Sequence, residues 1–159
     1  MTSAAGAGAT PTQASYFVEF VARLSTESLP GHTYLVYGRD SAEGHPLERH
    51  VVGFYPIAGP VGMVIGIVGF PGEVGEGFVD DFLPVTSRYH RPLTAEQYAK
   101  LELFITQQRA ERHVWSLLLN NCNDWAAAAA EAIGLKAPPF RAVPPNVFVD
   151  SLQAANEQL

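Results

Sequence analysis

Cys122 is the single cysteine of this 159-residue chain, and its neighbours place it where a thiol can act as a nucleophile. Asn120 and Asn121 before it are candidate N-caps. Trp125 and the run Ala126 to Ala130 after it form the strongest helix-forming stretch of the sequence. A helix N-terminus presents unpaired N–H groups and positive potential. Both favour a thiolate, and both can serve an oxyanion developing on a carbonyl substrate. The ordinary alternative is a small buried hydrophobe at a helix start. Asn121 has the same two readings, oxyanion donor or helix cap, and capping is the plainer one. Asp124, on the first turn, would complement the helix dipole, or oppose thiolate formation if it pointed at the sulfur.

A thiol nucleophile needs a base. His32 follows the breaker Pro30-Gly31 and opens the β-branched and aromatic run His32 to Gly38. A base on a rigid strand end facing a nucleophile on a helix end is an effective way to hold a dyad. The ordinary alternative is a strand-start histidine hydrogen-bonded near the surface. The other histidines are weaker candidates. His45 falls in a polar loop, and His50 starts a returning strand opposite the far end of the first. His90 and His113 flank a helix without a metal-ligand spacing. No zinc site and no cofactor are expected.

The elements that must position these residues can be read from pattern. Ser15 to Leu24 is a strand by alternation, and His50 to Tyr55 returns after a loop over residues 39 to 49. Val61 to Val68 reads as a further, central strand, residues 69 to 77 as a loop, and Phe78 to Thr86 as another strand. Thr94 with Gln97 forms a capping box that opens a helix fading near Arg112, with Tyr98, Leu101 and Ile105 on one face. Val114 to Leu119 is a short apolar bridge. The Cys122 helix ends near Gly134, and a last helix covers residues 146 to 155. Strands first and helices after predict an α+β fold with an antiparallel sheet packed against helices. Residues 1 to 14 read as a flexible tail, and 15 to 159 as one domain.

Composition limits the function. Apolar residues make up 47% and charged residues 16%, which is globular, and the net charge of −6 argues against a nucleic-acid binder. Residues 51 to 72 carry no charge, but Pro56, Pro60, Pro71 and six glycines interrupt any spanning helix. No transmembrane segment is expected. The N-terminus lacks the basic start and apolar run of a secretory signal, so synthesis in the cytoplasm without a signal peptide is expected.

Three motifs, in order, resemble one family. Gly31-His32-Thr33 opens a strand, Gly53-Phe54-Tyr55-Pro56 closes the next, and Asn121-Cys122-Asn123-Asp124-Trp125 opens an alanine-rich helix. This arrangement resembles the permuted branch of the NlpC/P60 papain-like superfamily, which includes lecithin–retinol acyltransferase-like proteins and bacterial cell-wall amidases. Leu93 to Tyr98 is also similar to bacterial members. The resemblance spans about residues 15 to 150. It implies a circularly permuted papain-like cysteine hydrolase, with Cys122 as nucleophile and His32 as general base. Family members often carry a third polar residue on the strand beside the base. The matching stretch Val52 to Tyr55 offers only the Tyr55 hydroxyl as an orienting group.

What the resemblance implies about activity is attack of Cys122 on an amide or ester carbonyl, with an acyl-enzyme intermediate. The implied reading is a cell-wall peptide amidase or peptidase acting on peptide or cell-wall substrate. Some relatives are delivered as antibacterial effectors to the periplasm or another cell, which would entail an inhibitor or immunity partner. Two other readings stand beside it: an acyltransferase or thioesterase on lipid-like esters, with Ile57 to Phe70 lining the site, and a non-catalytic binding module that keeps the fold.

Overall fold

The computed structural model describes residues 14–27, 29–57, 69–77 and 79–157. Nearly all of the expected N-terminal tail and the expected strand Val61 to Val68 lie outside them. Among the described residues, six strands form one antiparallel sheet: β1 (Ser15–Arg23), β2 (His32–Asp40), β3 (Pro46–Pro56), β4 (Phe70–Glu76), β5 (Val85–Leu93) and β6 (His113–Trp115), in the order β5-β1-β2-β3-β4-β6. Three helices accompany them: α1 (Ala95–Ala110), α2 (Cys122–Ala132) and α3 (Pro145–Glu157). The fold is α+β, as composition and element order predict.

Strand alternation sorts the core onto two faces. Val18, Phe20 and Ala22 of β1, Leu35 and Tyr37 of β2, Val52 and Phe54 of β3, and Val74 of β4 pack with the helices. Those helices contribute Leu101, Ile105, Trp125, Ala126, Phe148 and Leu152. The alanines of α2 let it lie close to the sheet, and four of them are fully buried. On the other face Phe17, Val21, Tyr34 and Val36 form a smaller cluster. Arg23, His32, Gly53 and Tyr55 share the alternation of that second face.

Several boundaries differ from expectation for physical reasons. The β2–β3 hairpin is tighter than the predicted loop, because Ser41 Oγ accepts the N–H groups of Glu43 and His45 and closes the turn between Asp40 and Pro46. Residues 70 to 76 form strand β4 instead of a loop. Gly72 lets the strand pass where a Cβ would lie 2.6 Å from the Phe54 ring and 3.0 Å from Trp115 Cβ. The strand expected from Phe78 begins only at Val85. Before it, Asp80–Phe82 makes a single 3-10 turn that carries an acidic side chain under the second face. Within the apolar bridge 114 to 119, Val114 and Trp115 belong to β6, which enters the sheet after α1, so strands do not all precede helices.

Both predicted caps are present. Thr94 and Gln97 form the capping box of α1, with Tyr98, Leu101 and Ile105 buried on one face. Asn121, not Asn120, caps α2.

Candidate functional site

Cys122 is the first residue of α2, and its position is fixed by capping chemistry. Asn121 Oδ1 accepts the N–H groups of Asn123 at 2.8 Å and Asp124 at 3.2 Å, while Asp124 Oδ2 accepts the Asn121 N–H at 2.9 Å. Asn121 Nδ2 donates to the Leu117 carbonyl at 2.9 Å. The Asn121 side chain is thus occupied by capping and by the preceding loop. Asp124 is turned back along the backbone to the cap.

Asn123 ties this helix start to the sheet. Its Oδ1 accepts from Thr33 Oγ1 at 2.6 Å, and its Nδ2 donates to the carbonyls of Arg141 and Val143 at 2.9 Å each. Thr33 is the residue after His32, so the tertiary fold brings the two sequence candidates to the same end of β2. Alternation points Thr33 toward α2 and His32 toward the second face. The β2–β3 ladder starts at Tyr34–Gly53. His32 and Thr33 therefore lie beyond it, at the mouth where the two strands part.

Under that mouth sits a buried polar cluster. His32 is 1% exposed, Asp80 2% and Arg23 5%. Arg23 Nε and the Tyr55 hydroxyl each donate to the Asp80 carboxylate, one to each oxygen. Arg23 Nη1 also donates to the Pro30 carbonyl at 2.7 Å, and the Tyr34 hydroxyl donates to the Asp80 carbonyl at 3.3 Å. His32 Nε2 lies 3.8 Å from Asp80 Oδ2, too far for a hydrogen bond, and has no other partner among the described residues. The Tyr55 ring lies against the imidazole, with centroids 4.7 Å apart. Two glycines make room for this group. A Cβ on Gly53 would come within 2.6 Å of Tyr55 Oη and 2.8 Å of His32 Nε2. A Cβ on Gly77 would come within 2.5 Å of Tyr55 Oη and 2.9 Å of Asp80 Oδ2.

Burial dominates the electrostatics. Desolvation lowers the His32 pKa from the ordinary 6.5 to about 4, against the pull of Asp80 and with a further push down from Arg23. Burial also pushes the Cys122 thiol up, although the N–H groups of Thr33, Asn123 and Cys122 itself, and then the Arg23 charge, work in the opposite direction. The helix start does favour the thiolate as expected, but its pull is smaller than the desolvation. At neutral pH Cys122 rests as a thiol and His32 as a neutral imidazole. Tyr55 is pushed far up by burial and by Asp80, so its hydroxyl remains a donor.

Asp80 and Arg23 were not legible as site residues. Asp80 is one of two adjacent aspartates, and Asp81 is instead bound to Arg49 through paired contacts of 2.7 and 2.9 Å at the surface. Arg23 closes an apolar strand, a common place for a solvated charge. The remaining histidines lie elsewhere. His50 is opposite Tyr37 and binds Glu48 at 2.7 Å, His90 pairs with Glu19 at 3.2 Å, and His113 binds the Gln108 carbonyl at 2.6 Å. His45 is exposed in the hairpin turn. Among the described residues, no group of three His, Cys, Asp or Glu side chains is placed to hold a metal ion.

Among the described residues, no helix is long and apolar enough to cross a membrane. A cavity of about 380 Å³ on the second face reaches Arg23, Tyr55 and Asp80 between Leu29, Glu73 and Val79. Comparison of the chain with family models, with curated proteins and with solved structures returns no match.

Proposed function

We propose that this chain is a cysteine hydrolase of the permuted NlpC/P60 papain-like type, cleaving an amide bond of cell-wall peptide with Cys122 as nucleophile and His32 as general base. One observation carries this reading. The start of α2, which carries the thiol, is tied to Thr33 Oγ1 through Asn123 at 2.6 Å, and the residue before Thr33 is a buried, neutral histidine beside a carboxylate. A neutral imidazole can take the thiol proton as the sulfur attacks the carbonyl, and can return it to the leaving amine. The Asn121 side chain is committed to its cap and takes up the N–H groups of Asn123 and Asp124, and the Asn121 carbonyl takes that of Trp125, so the Cys122 N–H is the first-turn donor left to an oxyanion.

The test is digestion of purified peptidoglycan fragments by wild type, Cys122→Ala and His32→Ala. Cleavage by wild type, abolished in the first variant and reduced about 10²- to 10⁴-fold in the second, is expected. Binding of the fragments without cleavage, unchanged in Cys122→Ala, would replace the hydrolase with a binding module.

A second reading is favoured by one surface feature. Leu117, Leu118 and Leu119, 48%, 56% and 82% exposed, stand immediately before the Asn121 cap. They would suit an acyl chain, making the chain an acyltransferase or thioesterase on lipid-like esters. Turnover of acyl esters with no action on cell-wall peptide would select it. Delivery to the periplasm belongs to the first reading. Toxicity on forced export, lost in Cys122→Ala and neutralised by an immunity partner, is its expected consequence.

A further inference from the structure

A histidine base works best when a second group holds its other ring nitrogen and fixes the tautomer. Here the neighbouring positions on β3 hold Gly53 and Tyr55, and neither bonds His32. A carboxylate from outside the sheet stands closest to the orphaned nitrogen. We infer that Asp80, presented by the 3-10 turn, is the positioning residue of His32, and that Tyr55 controls how strongly it acts by competing for the same carboxylate oxygen.

The geometry is specific to this role. Asp80 Oδ2 is the oxygen that accepts from the Tyr55 hydroxyl, and it is also the oxygen 3.8 Å from His32 Nε2. The other oxygen is held by Arg23, which is itself fixed by the Pro30 carbonyl. Arg23 therefore anchors the carboxylate while Oδ2 faces two donors. A structural ion pair would need only Arg23 and Asp80. It would not need glycine at both 53 and 77, where a Cβ would strike Tyr55 Oη together with His32 Nε2 or Asp80 Oδ2. Those two glycines keep open the space in which imidazole, phenol and carboxylate meet.

The inference rests on His32 acting as the base. With Nε2 toward Asp80, Nδ1 is the nitrogen left to receive the Cys122 proton. On transfer, the S–H bond breaks, Nδ1–H forms, and the positive charge spreads over the ring. Nε2–H then gains a charge-assisted bond to Oδ2 over a closure of about 1 Å from its resting distance, and the proton stays on the imidazole. The groups facing His32 are Asp80 from the turn, Arg23 from β1, Tyr34 from β2 and Tyr55 from β3.

The test reads His32 without substrate. Imidazole ¹⁵N resonances are followed against pH in wild type, Asp80→Asn and Tyr55→Phe. Tyr55→Phe frees Oδ2 for the imidazole, so the His32 midpoint should rise by about one pH unit, with Nε2 protonated in the neutral form. Asp80→Asn should move the midpoint the other way, because Arg23 remains and the carboxylate is gone. Opposite shifts are not produced by loosened packing, which would move both toward the solvent value. Midpoints unchanged in both variants, or rising together, would overturn the inference. If Asp80→Asn does not fold, Tyr55→Phe decides alone: an unchanged midpoint, or a neutral form with Nδ1 protonated, refutes it. Because no turnover is measured, failure of the hydrolase reading on peptidoglycan leaves this result independently interpretable.

Discussion

At the scale of single residues, the chemistry of this site is governed by how completely water has been removed from it. His32 titrates near 4 in the folded chain and near 6.5 when solvated. Its folded pKa is depressed, so the unfolded chain binds more protons between those values. The stability this histidine contributes is fully present above pH 6.5 and is lost as pH falls through 4. Its size is about 3 kcal/mol. Urea unfolding at a series of pH values should show that slope in wild type, and a shallower one in His32→Gln. The thiol follows the same logic with opposite charge. Alkylation of Cys122 should be slow at pH 7 and keep accelerating beyond pH 8.5, the ordinary midpoint of a free thiol. A midpoint well below that value would show that a ligand-free ion pair forms despite burial. Gly53→Ala tests the close approach directly. The added methyl cannot fit beside Tyr55 Oη and His32 Nε2 without displacement, so a loss of about 1–3 kcal/mol in chemical denaturation is expected.

At the scale of elements, the site depends on a single splice between α2 and β2. Asn123 joins the helix start to Thr33 and to the 141–143 segment through three hydrogen bonds, with its side chain 2% exposed. Asn123→Ala would leave two part-buried carbonyls and a buried hydroxyl without their partner. A cost of about 3 kcal/mol is expected in equilibrium unfolding, with Cys122 alkylation accelerated as the helix start loosens. Asn121→Ala removes only the cap and the Leu117 contact, and should cost about 1 kcal/mol. A ranking with Asn121 above Asn123 would mean that the cap, not the splice, seats Cys122. The 3-10 turn is the other element the site depends on. It is short, but Arg23, Tyr34 and Tyr55 from three different strands all bond to Asp80, so the turn is held by the sheet rather than by its own backbone.

At the scale of the molecule, one sheet carries His32, Arg23 and Tyr55 and seats the helix that begins at Cys122, and its edges are protected. β5 presents Pro92 and the charges of Arg88 and Arg91, and β6 is only three residues long. Helices contact the sheet from β1 to β5, and the larger core runs through β1 to β5 and all three helices. Thermal unfolding followed by far-UV signal and by tryptophan fluorescence should therefore coincide in one transition. Local information was enough for α+β class, for the Thr94 capping box, for an asparagine cap before Cys122 and for β1, β2 and β3, because caps, alternation and alanine runs are written in neighbouring residues. It was also enough to mark Cys122 and His32 as candidates, each by the breaker or cap beside it. It could not show β4, whose glycines read as a loop until Phe54 and Trp115 are seen against Gly72. Nor could it distinguish buried Asp80 from exposed Asp81, or mark Arg23 as its partner. Those assignments depend on strand order and on which face each side chain takes. Sequence determined the types of group available and the elements that carry them. Only the tertiary structure decided that burial would outweigh the helix start at Cys122, and which carboxylate would lie beside His32. Desolvation and charge proximity are properties of space, and no spacing along the chain encodes them.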